Sequence, residues 1–128
     1  MTVQELLSYI DDIRPNAFTD GQKLIWLNEL EARIQREVFL SGELWQYRLP
    51  DDRETVLLLD PPHDAIYRHW MEAMIDYENG EYNKYQNTMQ MFNAQWASFV
   101  AWFAEKYRPA DGYWRERPGW NNSRKEAP

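Results

Sequence analysis

The adjacent residues His63 and Asp64 are the first candidates for chemistry in this sequence, because metal-dependent phosphohydrolases use histidine–aspartate pairs as metal ligands. Such a site needs further histidine and aspartate ligands. The other histidine is His69, and six residues correspond to about 600° of helix, so the two imidazoles point to opposite sides. A favourable interaction with a nearby helix dipole explains Asp64 better. We therefore expect no metal site.

Other catalytic patterns are equally weak. The five glycines do not cluster in a loop that opens a helix, as a phosphate-binding loop requires. No serine has the sharp strand-to-helix context of a nucleophile; the serines considered are Ser8, Ser41, Ser98 and Ser123. Glu29 and Glu31 lie on different faces of a predicted helix, and we interpret both as solvated surface residues. The sequence predicts no catalytic residue, no cofactor and no enzyme.

The chain is rich in large aromatic residues, with seven tryptophans and eight tyrosines. Aromatic platforms bind proteins, sugars and single-stranded nucleic acid. Most of these residues fall on periodic apolar stripes, which indicates core packing. Trp45, Trp114 and Trp120 lie outside the stripes. Because tryptophan, tyrosine and arginine dominate binding hot spots, we predict that these tryptophans form an interface together with Arg115 and Arg117.

The net charge of −7 is unevenly distributed along the chain. Residues 108–128 carry five basic and three acidic side chains, a net charge of +2, which leaves −9 on the preceding 107 residues. Affinity for phosphates comes from clustered lysine and arginine, so an acidic body argues against a nucleic-acid grip. The pattern also suggests identical molecules that touch tail to body, with simple unevenness of surface charge as the alternative.

Length and composition favour a single domain with its own core, since the 128 residues are 44% hydrophobic. The absence of cysteine fits a reducing cytoplasm. The longest apolar run, residues 99–104, is far shorter than a membrane span. The first residues also lack the basic and then apolar pattern of a secretory signal. We expect no membrane association.

Capping boxes that begin at Thr2 and Thr19 predict the starts of two helices. The first helix ends before Pro15, because the residue before a proline is pushed out of the helical region. Apolar steps of three and four place the second helix at about 20–39. Its stripe residues are Leu27, Leu30, Ile34 and Val38. Residues 43–60 alternate between apolar and polar types, which predicts a β-hairpin or a pair of short extended arms.

Pro61-Pro62 suits the start of a third helix, and Asn79-Gly80 is a helix stop. The apolar stripe of this third helix is Tyr67, Trp70, Met74 and Tyr77. A heptad seam spaced three and four then predicts a fourth helix over 82–103. We assign its residues to the core: Tyr82, Tyr85, Met89, Phe92, Trp96, Phe99 and Phe103. The two stripes are out of register by one residue, which favours an antiparallel helical hairpin over one bent helix.

The predicted fold is mainly α. It is a helical bundle with a long helix in the C-terminal half, a short β-hairpin or extended arm around 43–60, and an extended C-terminal tail. We divide the chain into a helical domain, residues 1–107, and a C-terminal arm, residues 108–128. Prolines and glycines prevent regular structure in the arm.

A series of segments between residues 15 and 107 carries a family resemblance. The segments are Pro15-Asn16-Ala17-Phe18-Thr19, Trp26-Leu27-Asn28-Glu29-Leu30-Glu31, the apolar residues before Pro61-Pro62, Ile66-Tyr67 with Trp70, and residues 73–76, 79–87 and 91–93. Taken in order, they resemble the small head-to-tail connector (adaptor) proteins of tailed bacteriophages and prophages. The stretch 76–93 is the most distinctive part.

This resemblance implies a ring of identical subunits beneath the portal that continues the DNA channel and gives the tail its docking surface. The implied partners are further copies of the chain, the portal protein, tail or neck proteins, and DNA that passes without specific binding. The implied location is the neck of the virion, after synthesis in the bacterial cytoplasm. The alternative function is a small helical regulator or inhibitor that binds a host or phage protein through its aromatic surface.

The tail carries a separate hypothesis. Ordering some twenty residues costs about 1–2 kcal/mol each, so we expect residues 108–128 to order only where a partner surface offsets that cost. An adjacent subunit or the portal would be that partner. The alternative is a tail that folds back on its own bundle, and deletion of residues 109–128 separates the two.

Overall fold

The computed structural model describes residues 1–106 as a bundle of four helices, which confirms the predicted mainly helical fold. The helices are α1 (Val3–Ile13), α2 (Asp20–Arg33), α3 (Ala65–Glu78) and α4 (Tyr82–Lys106). A π-helical turn, Ile34–Val38, continues α2. The predicted arm, with Trp114, Arg115, Arg117 and Trp120, lies outside the described residues.

Both predicted capping boxes are present. The Thr2 hydroxyl accepts a hydrogen bond from the Glu5 amide at 3.1 Å, and the Glu5 carboxylate accepts one from the Thr2 amide at 3.0 Å. Thr19 and Gln22 make the same reciprocal pair at the start of α2. Each box satisfies backbone N–H groups that the first helical turn leaves without a carbonyl partner.

The segment between α2 and α3 takes the extended alternative, and no hairpin pairs its two halves. Val56 instead forms an isolated antiparallel bridge with Thr2. The earlier half lies along α2, where the side-chain amides of Asn28 and Gln35 replace a strand partner. Asn28 accepts from the Tyr47 amide at 2.9 Å and donates to the Tyr47 carbonyl at 3.2 Å, and Gln35 does the same for Trp45 at 3.1 Å.

Helix α3 lies in the middle of the bundle, because it packs against α1, α2 and α4. It begins at Ala65, four residues after the predicted proline start. The predicted stripe omits several apolar residues that are buried. The prediction that Tyr77 belongs to the core is wrong, because 51% of its surface is exposed. The buried apolar residues of α3 are Ile66, Tyr67, Met71, Ala73 and Ile75.

Helices α3 and α4 form the predicted antiparallel hairpin. Gly80 adopts a φ of 75°, a left-handed conformation that glycine reaches without steric cost. Ring contacts follow the antiparallel order, because the later residue of α3 contacts the earlier residue of α4. Trp70 lies 5.2 Å from Phe92 and Tyr77 lies 5.2 Å from Tyr85, measured between ring centroids.

The seam of α4 enters the core along only part of its length. Phe92, Phe99 and Phe103 are buried, and Tyr85, Met89 and Trp96 are half-buried. Tyr82 is wrong as a core residue, since 58% of its surface is exposed. Tyr82 is the first residue of α4 and is not covered by α3, which ends at Glu78. Its ring contacts that of Tyr77, which is also exposed.

Replacing Phe92 with Ala should lower the free energy of unfolding by about 3–5 kcal/mol, because the ring is fully buried and its loss leaves a cavity. The matched control is Tyr82→Ala, which removes a similar ring from an exposed position and should cost under about 1 kcal/mol. Denaturant titration measures both. A loss under about 1 kcal/mol for Phe92→Ala would show that the seam is not core.

Candidate functional site

The two histidines do not form a joint site. His63 lies in the turn before α3, and its ring contacts that of Trp102 in a tilted arrangement with 4.5 Å between centroids. His69 is buried on α3, and its Nδ1 lies 3.7 Å from a carboxylate oxygen of Glu72. Burial lowers the pKa of both imidazoles below the ordinary value, so both are neutral at pH 7. In residues 1–106, no group of three or more histidine or acidic side chains is arranged to hold a metal ion.

The prediction that Glu31 is a solvated surface residue is wrong, because only 1% of its surface is exposed. Its carboxylate accepts hydrogen bonds from the hydroxyls of Tyr47 and Tyr67 and from the Leu58 amide. The Tyr67 hydroxyl also accepts from the Leu59 amide at 3.0 Å. This network joins α2 and α3 to the extended segment, and its many internal bonds are those of a structural rather than a catalytic carboxylate.

A second polar cluster connects three helices through Arg14, the residue that follows α1. Its guanidinium pairs with Asp76 and, at 2.9 Å, with Glu72, two acidic residues one turn apart on α3. The Thr88 hydroxyl of α4 donates to Asp76 at 3.3 Å. Burial alone would lower the pKa of Arg14, but the hydrogen bonds and charges of the two carboxylates raise it. We interpret this cluster as structural, because its ion pairs and hydrogen bond connect α1, α3 and α4.

Trp45 is the one predicted interface residue within the described part of the chain. Its backbone amide and carbonyl bond to Gln35, and its ring meets that of Tyr47 edge-on at 4.7 Å. The side chain is half-buried against the core. Trp45 therefore combines a packing role with a partly exposed surface beside Leu44, whose side chain is 39% exposed.

The outward side of α4 is the most unusual surface in the described structure. No charged residue occurs from position 85 to position 104, in a chain that is 27% charged. The exposed residues of this stretch are Gln86, Asn87, Gln90, Met91, Asn93, Ala94, Ala97, Ser98, Val100, Ala101 and Ala104. We call this surface the outer α4 face. It is neutral, and Met91 on it is 54% exposed.

The described body that carries the outer α4 face is acidic overall. Residues 1–106 contain nine basic and eighteen acidic side chains, because the remaining residues hold the other five and three. The aromatic seam of α4 is predicted as core from the sequence, whereas the outer α4 face on the opposite side of the helix is not among the predicted interface residues. A sequence signal for this face exists. Four alanines recur at helical steps of three, four and three along it: Ala94, Ala97, Ala101 and Ala104.

Comparisons of the chain with protein-family models, with curated protein sequences and with solved structures give no match. Within residues 1–106, none of the helices combines the length and the apolar character needed to cross a bilayer.

The lowered pKa values of the buried His69 and the half-buried His63 predict a loss of stability in mild acid. Their pKa values in the folded state lie below 6.5, so protons bind the unfolded chain more tightly than the folded one. The free energy of unfolding should be constant above about pH 7 and fall as the pH drops below 6.5, before carboxylates titrate. Denaturant titrations between pH 7.5 and 5.5 measure this slope.

The control variant is His63→Gln combined with His69→Gln, which removes both titrating groups. Its free energy of unfolding should change less over the same pH range than that of the unaltered protein. Equal slopes for the two proteins would mean that other groups cause the acid sensitivity.

Proposed function

We propose that this protein is a structural subunit that assembles with copies of itself into a closed ring, as a head-to-tail connector of a tailed bacteriophage. Its partners would be the portal protein and tail or neck proteins, and its location the neck of the virion. The observation that carries the proposal is the outer α4 face. The segments that resemble connector proteins support the assignment to phage.

Charge favours the outer α4 face as a contact between copies. The described body has a net charge of −9, so two copies that approach through most other surfaces bring carboxylates together. Juxtaposed like charges oppose association. The outer α4 face presents amides, a hydroxyl and apolar groups instead. Depletion of charge is also typical of the centre of protein interfaces.

The size of the face indicates that it does not act alone. The face spans residues 86–104, about 28 Å of helix, and a contact band about 10 Å wide would bury roughly 300 Å² per copy. A standard interface buries about 800 Å² on each partner. The remainder would come from a second contact, for which the aromatic and basic tail and the partly exposed Trp45 are the candidates.

A ring requires that the outer α4 face of each copy contact a different surface of the next copy, such as the tail or the surface around Trp45. Contacts of that kind are heterologous, and they close into rings when the rotation between neighbours allows it. Acidic side chains that line the lumen would repel DNA phosphates and let the genome pass without binding. Genes for a portal and a major capsid protein are expected beside the gene for this chain.

Replacing Ala97 and Ala101 with Glu should weaken self-association at least about 100-fold, because like charges across an interface cost several kcal/mol. Both residues are exposed and glutamate is a good helix former, so the monomer should keep its fold and melting temperature. The control, Ser8→Glu with Ala17→Glu, adds the same charge at exposed positions outside α4 and should leave assembly unchanged.

Native mass spectrometry over a range of concentrations, with and without the portal protein, measures the number of copies. The proposal expects one closed species of many copies for the unaltered chain and for the control. A monomer or dimer under all conditions would contradict the ring and favour the small-regulator alternative. Equal assembly of both variants would exclude the outer α4 face.

A further inference from the structure

A groove opens where the extended segment turns into α3 and faces the last turns of α4. Its volume is about 410 Å³, which exceeds that of a tryptophan side chain. Pro61, Pro62 and His63 line it from the turn and Ser98, Phe99 and Trp102 line it from α4, and the His63 ring contacts those of Phe99 and Trp102. A smaller hollow of about 180 Å³ continues it along α4 towards Gln95 and shares Pro62, His63 and Ser98.

The lining of this groove specifies the chemistry of its occupant. Proline and aromatic rings provide flat apolar walls, which suit an aromatic or proline-containing segment. The side-chain oxygen of Gln95 is buried, and no donor among the described residues bonds to it. The Asp60 carboxylate adds negative charge at the rim. The groove therefore fits a flat aromatic ring with an N–H donor and a neighbouring cation.

Trp114 provides an aromatic ring with an N–H donor, and Arg115 provides the neighbouring cation. The connection from α4 is long enough for both to reach the groove. Trp102 lies one helical turn, about 6 Å, before Lys106, the last residue of α4. Trp114 follows Lys106 by eight residues, which span up to about 28 Å when extended. Residues 108–112 contain the turn-forming Pro109 and an Asp-Gly pair, which favours reversal of the chain at this point.

We infer that the groove is a docking site for the tail of the same copy, as in the fold-back alternative, with the Trp114 indole packed against its proline and aromatic lining. The indole N–H donates to Gln95, and Arg115 lies towards Asp60. A short connection gives the tail an effective concentration in the millimolar range, which the tail of another molecule reaches only within an assembly. Trp120, six residues further on, remains available to a partner. This site does not depend on ring formation.

The chain has no cysteine, so Ser98→Cys introduces a single thiol reporter at an exposed position in the groove. With the tail docked, this thiol should react with a maleimide about tenfold more slowly than in the Ser98→Cys, Trp114→Ala double variant. Tenfold protection corresponds to about 1.4 kcal/mol in favour of docking. The matched control, Ser98→Cys with Trp120→Ala, removes the other tail tryptophan and should keep the protection.

Dilution separates the copy's own tail from that of a neighbour. Protection by the same copy is independent of protein concentration and persists in the Ala97→Glu, Ala101→Glu monomer. Equal reactivity with and without Trp114 would overturn the inference. Protection that disappears on dilution, or an equal loss with Trp120→Ala, would also overturn it. Because Ser98 also lies on the outer α4 face, the reactivities are compared in the Ala97→Glu, Ala101→Glu background, where assembly does not protect the thiol.

Discussion

The fold depends on forming hydrogen bonds to one acidic side chain that is buried away from water. A buried carboxyl group is stable in a protein interior only when hydrogen bonds replace its hydration, and Glu31 receives them from two tyrosine hydroxyls and a backbone amide. These donors belong to the extended segment and to α3, whereas Glu31 belongs to α2. Satisfying the carboxylate therefore fixes where an otherwise irregular segment of more than twenty residues lies.

The position of this segment determines which surfaces remain open. Leu57, Leu58 and Leu59 follow the hydrogen-bonded stretch into the core, and together with α1 and α2 they cover one side of α3. Helix α4 packs on the other side. Arg33 of α2 reaches across to α4, with its guanidinium carbon 4.2 Å from the centre of the Trp96 ring. The outer α4 face is left without a covering element among the described residues, and it is the face that lacks charge.

Local signals in the sequence predicted the local features of the fold. Two capping boxes, the stop at Asn79-Gly80 and the spacing around Phe92, Phe99 and Phe103 depend on neighbours within one or two helical turns, and the structure contains all of them. The hairpin of α3 and α4 followed from the change of register between their stripes.

The features that the sequence did not reveal depend on contacts between distant residues. Glutamate is usually found at the surface. Glu31 is buried because it accepts hydrogen bonds from tyrosine hydroxyls 16 and 36 positions away in the sequence. The segment around Tyr47 alternates like a strand, but its partner is a pair of side-chain amides on α2 rather than another strand. Tyr77 and Tyr82 continue their stripes beyond the point where the two helices cover each other.

Oxidation of Met91 tests most directly whether the outer α4 face is buried between copies. Met91 is 54% exposed on that face, and Met1, 38% exposed and away from it, serves as an internal reference. Peroxide converts exposed methionine to the sulfoxide, which adds one oxygen and is read by peptide mass spectrometry. In the assembled protein, Met91 should oxidise several-fold more slowly than in dilute monomer while Met1 keeps its rate. An assembly in which Met91 oxidises as fast as in the monomer would contradict the claim that copies meet through this face.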